Sequence, residues 1–405
     1  MLNESMKELG FKRSTIRELF EYGKMLKADR GENAVFDYSL GNPSVEPPIE
    51  VNLTLARLLE KTPPTELHGY TSAEGDLCVR RAISDYIVKA FGAASDPSLI
   101  YMTAGAAAAL TATLTAVTIT GETVITPAPF FPEYKVFVEA CGADLIPVQS
   151  LLPSFRPDIE AIGKAINEST AAVIINTPNN PTGAVYKRED IEALSELLTE
   201  KSKEYGKTIY LISDEPYREL VYSGEEIPFI PNFYKDTIVC YSYSKSLSIP
   251  GDRIGYVFVS PKATDANTLF KTICGAGRSL GYVCAPSLLQ RLVAECCGLT
   301  SDLGIYRKNR DILYHALTDM GYEMAEPDGA FYLFVKALCR DAVEFSLAAR
   351  KYGLLLVPSD DFGCPGYVRI AYCQNTDMIN RSLPAFKALA DEFANKHQGE
   401  DYERH

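Results

Sequence analysis

Apolar runs with the length of β-strands alternate with helical patterns along most of this 405-residue chain. This alternation is typical of an α/β fold, in which helices cover both faces of a largely parallel sheet. The run 172–175 has no polar face, as expected of a strand buried on both sides. The predicted strands are Leu99–Met102, Thr123–Ile125, Asp144–Val148, Ala172–Asn176, Thr208–Ile212, Thr237–Tyr241 and Arg253–Val259. The predicted helices between them include Ala106–Val117, Arg188–Tyr205 and Lys262–Cys274.

The pattern changes after about residue 290, where helices with large apolar faces surround a few short strands. The helical segments are 288–321, 341–352 and 376–395, and the strands are 330–336, 354–357 and 367–372. We therefore predict a large domain over residues 49–288, with a mostly parallel seven-stranded sheet flanked by helices. Residues 1–48, which hold an amphipathic helix around 14–29, would join residues 289–405 in a smaller α+β domain.

Composition and charge exclude several kinds of partner. The net charge is −13 and no cluster of Lys and Arg occurs, so we expect no nucleic-acid partner. The four histidines are scattered and the ten cysteines form no C-x-x-C pair, so no zinc site is predicted. The cysteines read as free thiols of a reducing compartment. Because the first residues lack an apolar signal segment, we predict a cytoplasmic protein.

One uncharged stretch, residues 97–121, is long enough to cross a membrane. It is rich in Ala and Thr, however, and a turn signal at 103–105 interrupts it. We expect a buried strand, a tight turn and a packed helix there, and no membrane association.

A serine-rich segment with one lysine carries the first sign of chemistry. Residues 242–253 read Ser-Tyr-Ser-Lys-Ser-Leu-Ser-Ile-Pro-Gly-Asp-Arg and lie between two predicted strands. A lysine that ends a buried strand can lose its charge by desolvation and condense with an aldehyde. Ser242 and Arg253 could then hold a phosphate. One alternative is a loop with a surface lysine; another is the S-x-x-K motif of penicillin-recognising enzymes, whose S-D-N and K-T-G elements are missing here.

Three further polar segments each follow a predicted strand. They read Asn-Thr-Pro-Asn-Asn-Pro-Thr-Gly (176–183), Ser-Asp-Glu-Pro-Tyr (213–217) and Thr-Ala-Gly-Ala-Ala-Ala-Ala-Leu (103–110). Open α/β sheets bind their ligands at the carboxyl ends of the strands. We therefore expect all four segments to form one site.

The order N-N-P-T-G, D-E-x-Y and S-x-S-K, with an arginine eight residues after the lysine, resembles the fold-type I pyridoxal-phosphate enzymes. Within them it resembles the class I/II aminotransferases, and the resemblance spans most of the chain. It implies pyridoxal 5′-phosphate as cofactor, and an L-amino acid and a 2-oxo acid as substrates. It also implies a homodimer with shared active sites.

The resemblance assigns five residues to the cofactor ring. Lys245 matches the Schiff-base lysine, whose freed amine then acts as general base and acid. Asp214 matches the carboxylate that pairs with the pyridine nitrogen, although a helix N-cap is the alternative. Asn180 and Tyr217 match donors to the phenolate oxygen, although Asn180 also suits a turn. Phe131 matches the aromatic ring stacked on the cofactor, although such a residue is more often plain core.

The phosphate group has its own set of residues in the resemblance. Ala106 and Ala107 stand at a helix start, where backbone N–H groups favour an anion, and Ser242 and Arg253 complete the set. Many relatives have a hydroxyl or amide side chain at this helix start, whereas this chain has only alanines. Tyr70 resembles the tyrosine that reaches the neighbouring subunit's phosphate, the alternative being a tyrosine packed in a turn.

Four residues are predicted to contact the substrate: Asn180, which is also assigned to the cofactor ring, and Arg369, Gly41 and Arg278. Arg369 matches the arginine that clamps the α-carboxylate, the alternative being a surface arginine on an edge strand. Gly41 matches a small residue in the loop that closes over the substrate. Arg278 lies in a stretch that departs from the Ser/Thr-rich sequence of relatives. We hypothesise that it binds a distal acidic group, which would favour dicarboxylic amino donors, although exposed arginines are frequent.

Two other functions were compared with amino-group transfer. One alternative is a lyase acting at Cβ or Cγ, such as a cysteine-conjugate β-lyase or a cyclopropane-forming synthase. These enzymes share the cofactor-binding residues, so the sequence motifs do not exclude this function. A ligand-sensing regulator on this fold would need a DNA-binding helix-turn-helix. Residues 1–48 hold one amphipathic helix, so we exclude the regulator.

Overall fold

The computed structural model describes residues 2–11, 14–222, 224 and 227–402, and side chains up to residue 395. The α-helices in these ranges are α1 (Glu4–Phe11), α2 (Thr15–Arg30), α3 (Ile49–Lys61), α4 (Pro64–Leu67), α5 (Leu77–Phe91), α6 (Ala106–Val117), α7 (Glu133–Ala140), α8 (Ile159–Ala165), α9 (Arg188–Glu204), α10 (Tyr243–Ser246), α11 (Ala266–Ser279), α12 (Ser287–Glu295), α13 (Leu303–Asp319), α14 (Ala342–Ala349) and α15 (Thr376–Tyr402). The strands are β1 (Phe36–Asp37), β2 (Ile100–Thr103), β3 (Thr123–Ala128), β4 (Asp144–Gln149), β5 (Thr170–Asn176), β6 (Tyr210–Asp214), β7 (Thr237–Ser242), β8 (Gly255–Val259), β9 (Tyr332–Lys336), β10 (Leu354–Leu355), β11 (Val357–Pro358) and β12 (Tyr367–Ala371).

Seven strands form the main sheet, in the order β2-β8-β7-β6-β5-β3-β4. Only β8 runs antiparallel to its neighbours, so the sheet is mostly parallel, as predicted. All seven predicted strands are present with ends shifted by a few residues. The last begins at Gly255, not at Arg253, because Arg253 adopts a left-handed conformation with φ 53° that an extended strand cannot continue.

Helices cover both faces of this sheet, and alternate residues of each strand point to opposite layers. On β5, Ala172 and Ile174 pack with α6, α7 and α11. Val173 and Ile175 face the other way, where they pack with α8 and α9. The apolar run therefore buries both of its faces, as its sequence predicts.

Several helices start at polar side chains that satisfy their first N–H groups. Asp158 accepts a hydrogen bond from Ala161 N at the start of α8. Asp341 accepts two, from Val343 N and Glu344 N, at the start of α14. The start of α6 differs, because its N-cap residue Gly105 has no side chain to offer. The first N–H groups of α6 are thus left for another acceptor.

A second group of elements follows the main sheet in sequence. Strands β11, β12 and β9 form an antiparallel sheet, and β1 pairs in parallel with β10. Their core includes side chains from α13, α14 and α15, among them Tyr306, Phe345 and Phe386. The β1–β10 pair joins the N-terminal segment to the C-terminal part of the chain. The predicted division of the chain at residues 48 and 288 stays a prediction. Helix α12, which spans the second of these boundaries, packs on α3 and α5.

Residues 97–121 fold as expected, with β2, a turn and α6. Among the residues that the structure describes, no helix is both long and apolar enough to cross a membrane.

Candidate active site

The register of the main sheet brings the four polar segments to one edge. Thr103 at the end of β2 pairs with Gly255 at the start of β8, and Gly255 pairs with Ser242 at the end of β7. Two strands away, Asn176 at the end of β5 pairs with Asp214 at the end of β6. Each segment thus begins where its strand ends, as predicted from the sequence.

Lys245 lies on the short helix α10, directly after β7. Its Nζ donates a hydrogen bond to Gly41 O at 2.7 Å and stands 5.5 Å from the ring centre of Phe331. Burial lowers the pKa of the amine to about 8; the guanidinium groups of Arg253 and Arg369 contribute to this lowering, and the Cys373 thiol opposes it. More of the amine is therefore neutral and nucleophilic at neutral pH than in a surface lysine. The surface-lysine alternative is wrong.

Asp214 ends β6 and is 4% exposed. The Tyr134 hydroxyl donates a hydrogen bond to its Oδ2 at 2.5 Å. Its Oδ1 is buried without a hydrogen-bond partner among the described residues. Burial raises the pKa of the carboxyl to about 7, against the opposing effect of the Tyr134 hydrogen bond. Since no helix starts at residue 214, the N-cap alternative is wrong.

Asn179 and Asn180, which follow β5, make different contacts. Asn179 makes the turn, because its Oδ1 accepts hydrogen bonds from the Thr182 N and hydroxyl. Asn180 instead faces the site, where its Oδ1 accepts a hydrogen bond from Arg369 Nη1 at 3.0 Å. Because that oxygen is occupied, the amide NH₂ of Asn180 is left to donate. The turn chemistry predicted as an alternative for Asn180 belongs to Asn179.

Arg369 lies on β12, the middle strand of the three-stranded sheet, and is 2% exposed. Its Nη2 donates to Ser39 O at 2.6 Å, and its guanidinium carbon stands 4.7 Å from the ring centre of Tyr332. Its Nε has no hydrogen-bond partner among the described residues. The alternative of a surface arginine on an edge strand is wrong.

A series of hydrogen bonds, connected through the backbone of residues 39–41, joins the carboxylate segment to the lysine. Asn176 Nδ2 donates to Asp214 O at 2.8 Å, and its Oδ1 accepts from Asn180 N at 2.7 Å. Asn180 then contacts Arg369, which contacts the residue 39–41 loop, whose Gly41 O accepts from Lys245. The structure therefore brings these predicted residues together in one site.

A second cluster, at the start of α6, surrounds the guanidinium of Arg253. Arg253 Nη2 donates to Ala104 O and Nη1 to the Ser244 hydroxyl, each at 3.4 Å. The Ser244 hydroxyl is 2.7 Å from that of Ser242. Gly105 has φ 83°, a backbone conformation that glycine adopts without strain, and a Cβ there would displace the Arg253 guanidinium, whose Nη2 it would meet at 2.6 Å. Backbone N–H groups, hydroxyls and a guanidinium thus converge as anion binding requires.

No hydrogen bond or ion pair among the described residues joins the side chains of Phe131, Tyr70 or Arg278 to these clusters. Phe131 is half-buried, 5.7 Å from Tyr134 between ring centres. Tyr70 is 90% exposed, and Arg278 is exposed in the last turn of α11. The two exposed side chains have no hydrogen bond or ion pair with another described residue. Their predicted roles stay predictions.

The residues of the site that the sequence reading missed include Tyr134, Tyr332, Ser39, Cys373 and Ser244. Tyr134 donates a hydrogen bond to Asp214, and the hydroxyl of Tyr332 is 2.8 Å from the hydroxyl of Tyr217. Burial raises the pKa of the Cys373 thiol, which is close enough to Lys245 to affect the amine. Tyr134 lies three residues after the assigned Phe131, in the sequence Ala-Pro-Phe-Phe-Pro-Glu-Tyr at 128–134, so this segment held a signal that was not used.

The fold is of the α/β class, and its candidate site includes a half-buried lysine and a buried carboxylate. The family model described as aminotransferase class I and II matches residues 34–385. The chain is similar in structure to an amino transferase from Eubacterium rectale, with a TM-score of 0.95 and 50% identity over 97% of this chain and 99% of that one. The chain therefore belongs to the class I and II aminotransferase family.

More distant relatives agree with this assignment. The aspartate aminotransferase of Thermus thermophilus, solved with maleate, has a TM-score of 0.85 and 26% identity over 96% of this chain and 99% of that one. A probable N-acetyl-LL-diaminopimelate aminotransferase of Bacillus subtilis is 29% identical over 86% of this chain and 87% of its own length. The predictions of an aminotransferase and of its fold are confirmed, and the lyase or synthase alternative is not favoured.

Proposed function

We propose that this protein is a cytoplasmic, pyridoxal 5′-phosphate-dependent aminotransferase that carries its cofactor on Lys245. The observation that carries the proposal is a pair of buried, unsatisfied atoms. Asp214 Oδ1 and Arg369 Nε have no hydrogen-bond partner among the described residues, and both belong to the network that ends on Lys245. Buried polar atoms are rarely left unpaired, so both atoms fit a ligand with a cationic N–H group and a carboxylate.

The cofactor ring would be held by four side chains. Lys245 supplies a partly neutral amine to bond the aldehyde carbon. Asp214 Oδ1 would accept the proton of the ring nitrogen, and that cation would favour the ionised carboxylate. Tyr217 and the amide NH₂ of Asn180 would donate to the phenolate oxygen. When bound, the cofactor supplies a sink for the electron pair left at the substrate's Cα as its proton departs.

The phosphate would lie in the cluster around Arg253. The N–H groups of Ala106 and Ala107 open α6, which has no capping side chain, so they are available to an anion. Ser242, Ser244 and Arg253 would add two hydroxyls and a forked cation. This set replaces the side-chain donor that the alanines of α6 lack.

The substrate would be oriented by its carboxylate on Arg369. Lys245 Nζ, once released, would take the proton from the substrate's Cα and return it on the cofactor side, as a general base and then a general acid. Gly41 would lie close over the substrate, and Phe131 would stack on the cofactor ring. Arg278 would bind a distal acidic group of the amino donor.

Amino-group transfer is tested with a panel of amino acids against 2-oxoglutarate, pyruvate and oxaloacetate. We expect the amino donor to give its 2-oxo acid and the acceptor to give its amino acid in a one-to-one ratio. Lys245→Ala should show no turnover. Release of ammonia without an acceptor would contradict the proposal. For Arg278→Ala, activity with aspartate and glutamate should fall while activity with alanine is retained; equal losses on all three would remove the role of Arg278.

We further propose a homodimer in which Tyr70 completes the phosphate site of the partner. The exposed position of Tyr70 and the exposed apolar side chains of Ile49, Leu53 and Leu59 on α3 support an interface on this side. Mixing Tyr70→Ala and Lys245→Ala subunits tests it. A mixed dimer has one site with Lys245 and Tyr70 both intact, so activity should exceed the sum of the parents. Activity equal to that sum would contradict a shared site.

A further inference from the structure

Tyr332 is a buried tyrosine, 2% exposed, that contacts three separate parts of the site from β9. Its hydroxyl is 2.8 Å from the hydroxyl of Tyr217. Its ring centre is 4.7 Å from the guanidinium carbon of Arg369. The backbone of Gly41 lies against its hydroxyl, since a Cβ built on Gly41 would stand 2.2 Å from that oxygen.

We infer that Tyr332 is a positioning residue that turns the hydroxyl proton of Tyr217 into the site and supports the guanidinium of Arg369. The inference rests on the proposed function, because it names the residue that orients one cofactor donor and the substrate clamp. Tyr332 itself touches neither cofactor nor substrate in this account.

The direction of the hydrogen bond between Tyr332 and Tyr217 depends on which of the two hydroxyls has a second acceptor for its proton. Two hydroxyls share one bond, so one proton is used in it and the other must find a different acceptor. The Tyr332 hydroxyl lies against the backbone of Gly41, and its one hydrogen-bond partner among the described residues is Tyr217. The Tyr217 hydroxyl likewise has Tyr332 as its one partner among these residues, but in the proposed function it also faces the phenolate oxygen of the cofactor, which can accept its proton. A buried hydroxyl rarely leaves its proton unused. Tyr332 therefore donates, and the proton of Tyr217 is free for a ligand oxygen.

A donor behind Tyr217 also strengthens the bond that Tyr217 makes. Hydrogen bonds in series polarise one another, so a hydroxyl that accepts one bond donates a stronger one. Tyr217 would then stabilise a negative oxygen more than an isolated tyrosine does. Loss of the Tyr332 hydroxyl should raise the apparent pKa of the cofactor's visible absorbance, because the protonated form gains when the oxyanion loses support.

The ring of Tyr332 has a separate effect on Arg369. The two Nη atoms of Arg369 are held by Asn180 and Ser39, while the faces of Tyr332 and Phe362 lie 4.7 and 5.3 Å from the guanidinium carbon. Aromatic faces attract a cation and also limit how its plane rotates. Removal of the Tyr332 ring should loosen the clamp, whereas removal of its hydroxyl should not.

The test uses purified holoenzyme and titrates its visible absorbance with pH in Tyr332→Phe, Tyr217→Phe and the double variant. A lost hydrogen bond of ordinary strength predicts that the apparent pKa rises by about 0.5 to 1 in Tyr332→Phe. Tyr217→Phe should give a larger rise, and the double variant should match Tyr217→Phe alone. Tyr372→Phe, which removes a buried hydroxyl bonded to Ala330 O, is the matched control and should leave the titration unchanged.

Kinetics separate the two effects of Tyr332. Tyr332→Phe should keep the KM for the amino donor, while Tyr332→Leu should raise it about threefold to tenfold. No change in the titration of Tyr332→Phe, or a double variant equal to the sum of the single shifts, would overturn the inference. The proposed function fails separately, if Lys245→Ala keeps its visible band and its turnover.

Discussion

The hydroxyl of Tyr134 should set the pH range in which the protein holds its cofactor. Tyr134 donates to Asp214 Oδ2 at 2.5 Å, and this bond opposes the burial that raises the pKa of Asp214 to about 7. A hydrogen bond to a charged group contributes about 1.5–3 kcal/mol. One pKa unit corresponds to about 1.4 kcal/mol, so Tyr134→Phe should raise the pKa of Asp214 by about one to two.

The direction of the pH effect on cofactor affinity depends on which protonation state of Asp214 binds the cofactor. The ionised carboxylate is needed for the cationic ring nitrogen, and it is lost as the pH falls through the pKa of Asp214. Cofactor affinity should therefore fall with decreasing pH below about 7 in the parent protein. In Tyr134→Phe the same fall should begin about one to two pH units higher.

The assay is the affinity of the cofactor-free protein for pyridoxal phosphate, measured by titration at a series of pH values. Tyr234→Phe is the control, because it removes another buried hydroxyl, which donates to Ile209 O at 2.7 Å. The control should keep the parent's pH dependence. If Tyr134→Phe keeps it too, then the bond to Asp214 does not control the charge of that carboxyl, and the reasoning is wrong.

Three further predictions concern the other side chains of the site. Because burial lowers the pKa of Lys245 to about 8, the rate of cofactor binding in stopped flow should rise with pH up to about 8 and then level off; a flat profile would contradict this. Gly41→Ala should lose most of its kcat/KM, since the new Cβ meets the Tyr332 hydroxyl, and adding Tyr332→Phe should restore part of it; no recovery would place the clash elsewhere. Arg369→Lys should raise the KM for the amino donor about 10- to 100-fold, because lysine cannot supply a forked pair of hydrogen bonds; an unchanged KM would exclude the clamp.

Local sequence signals predicted much of the site because its polar residues follow strands directly. The apolar runs identified β5, β6 and β7, and the turn residues after them then had to meet at one edge of the sheet. The segments that hold Asn180, Asp214 and Lys245 were located in this way, and the resemblance to the aminotransferases then gave these three residues their roles. Each of these residues lies within a few positions of the end of a strand, so the local sequence is enough to locate it.

The partners of these residues come from distant parts of the chain and carry no local signal. Tyr134 reaches Asp214 across 80 positions, and Tyr332 reaches Tyr217 across 115. The burial of Arg369 depends on where the three-stranded sheet packs against the loop at 39–41, which alternation within β12 does not reveal. The left-handed backbone of Arg253 and the hydrogen bond of its guanidinium to Ala104 O, 149 positions away in the sequence, likewise have no local sequence signal.

The bond between Lys245 and the cofactor is the claim on which the rest of the mechanism depends. Sodium borohydride reduces such a carbon–nitrogen double bond to a single bond that survives protein digestion. After reduction of the holoenzyme, peptide mass spectrometry should find the pyridoxyl group on Lys245 and on no other lysine. A pyridoxyl group on a different lysine, or none on the protein, would contradict the account.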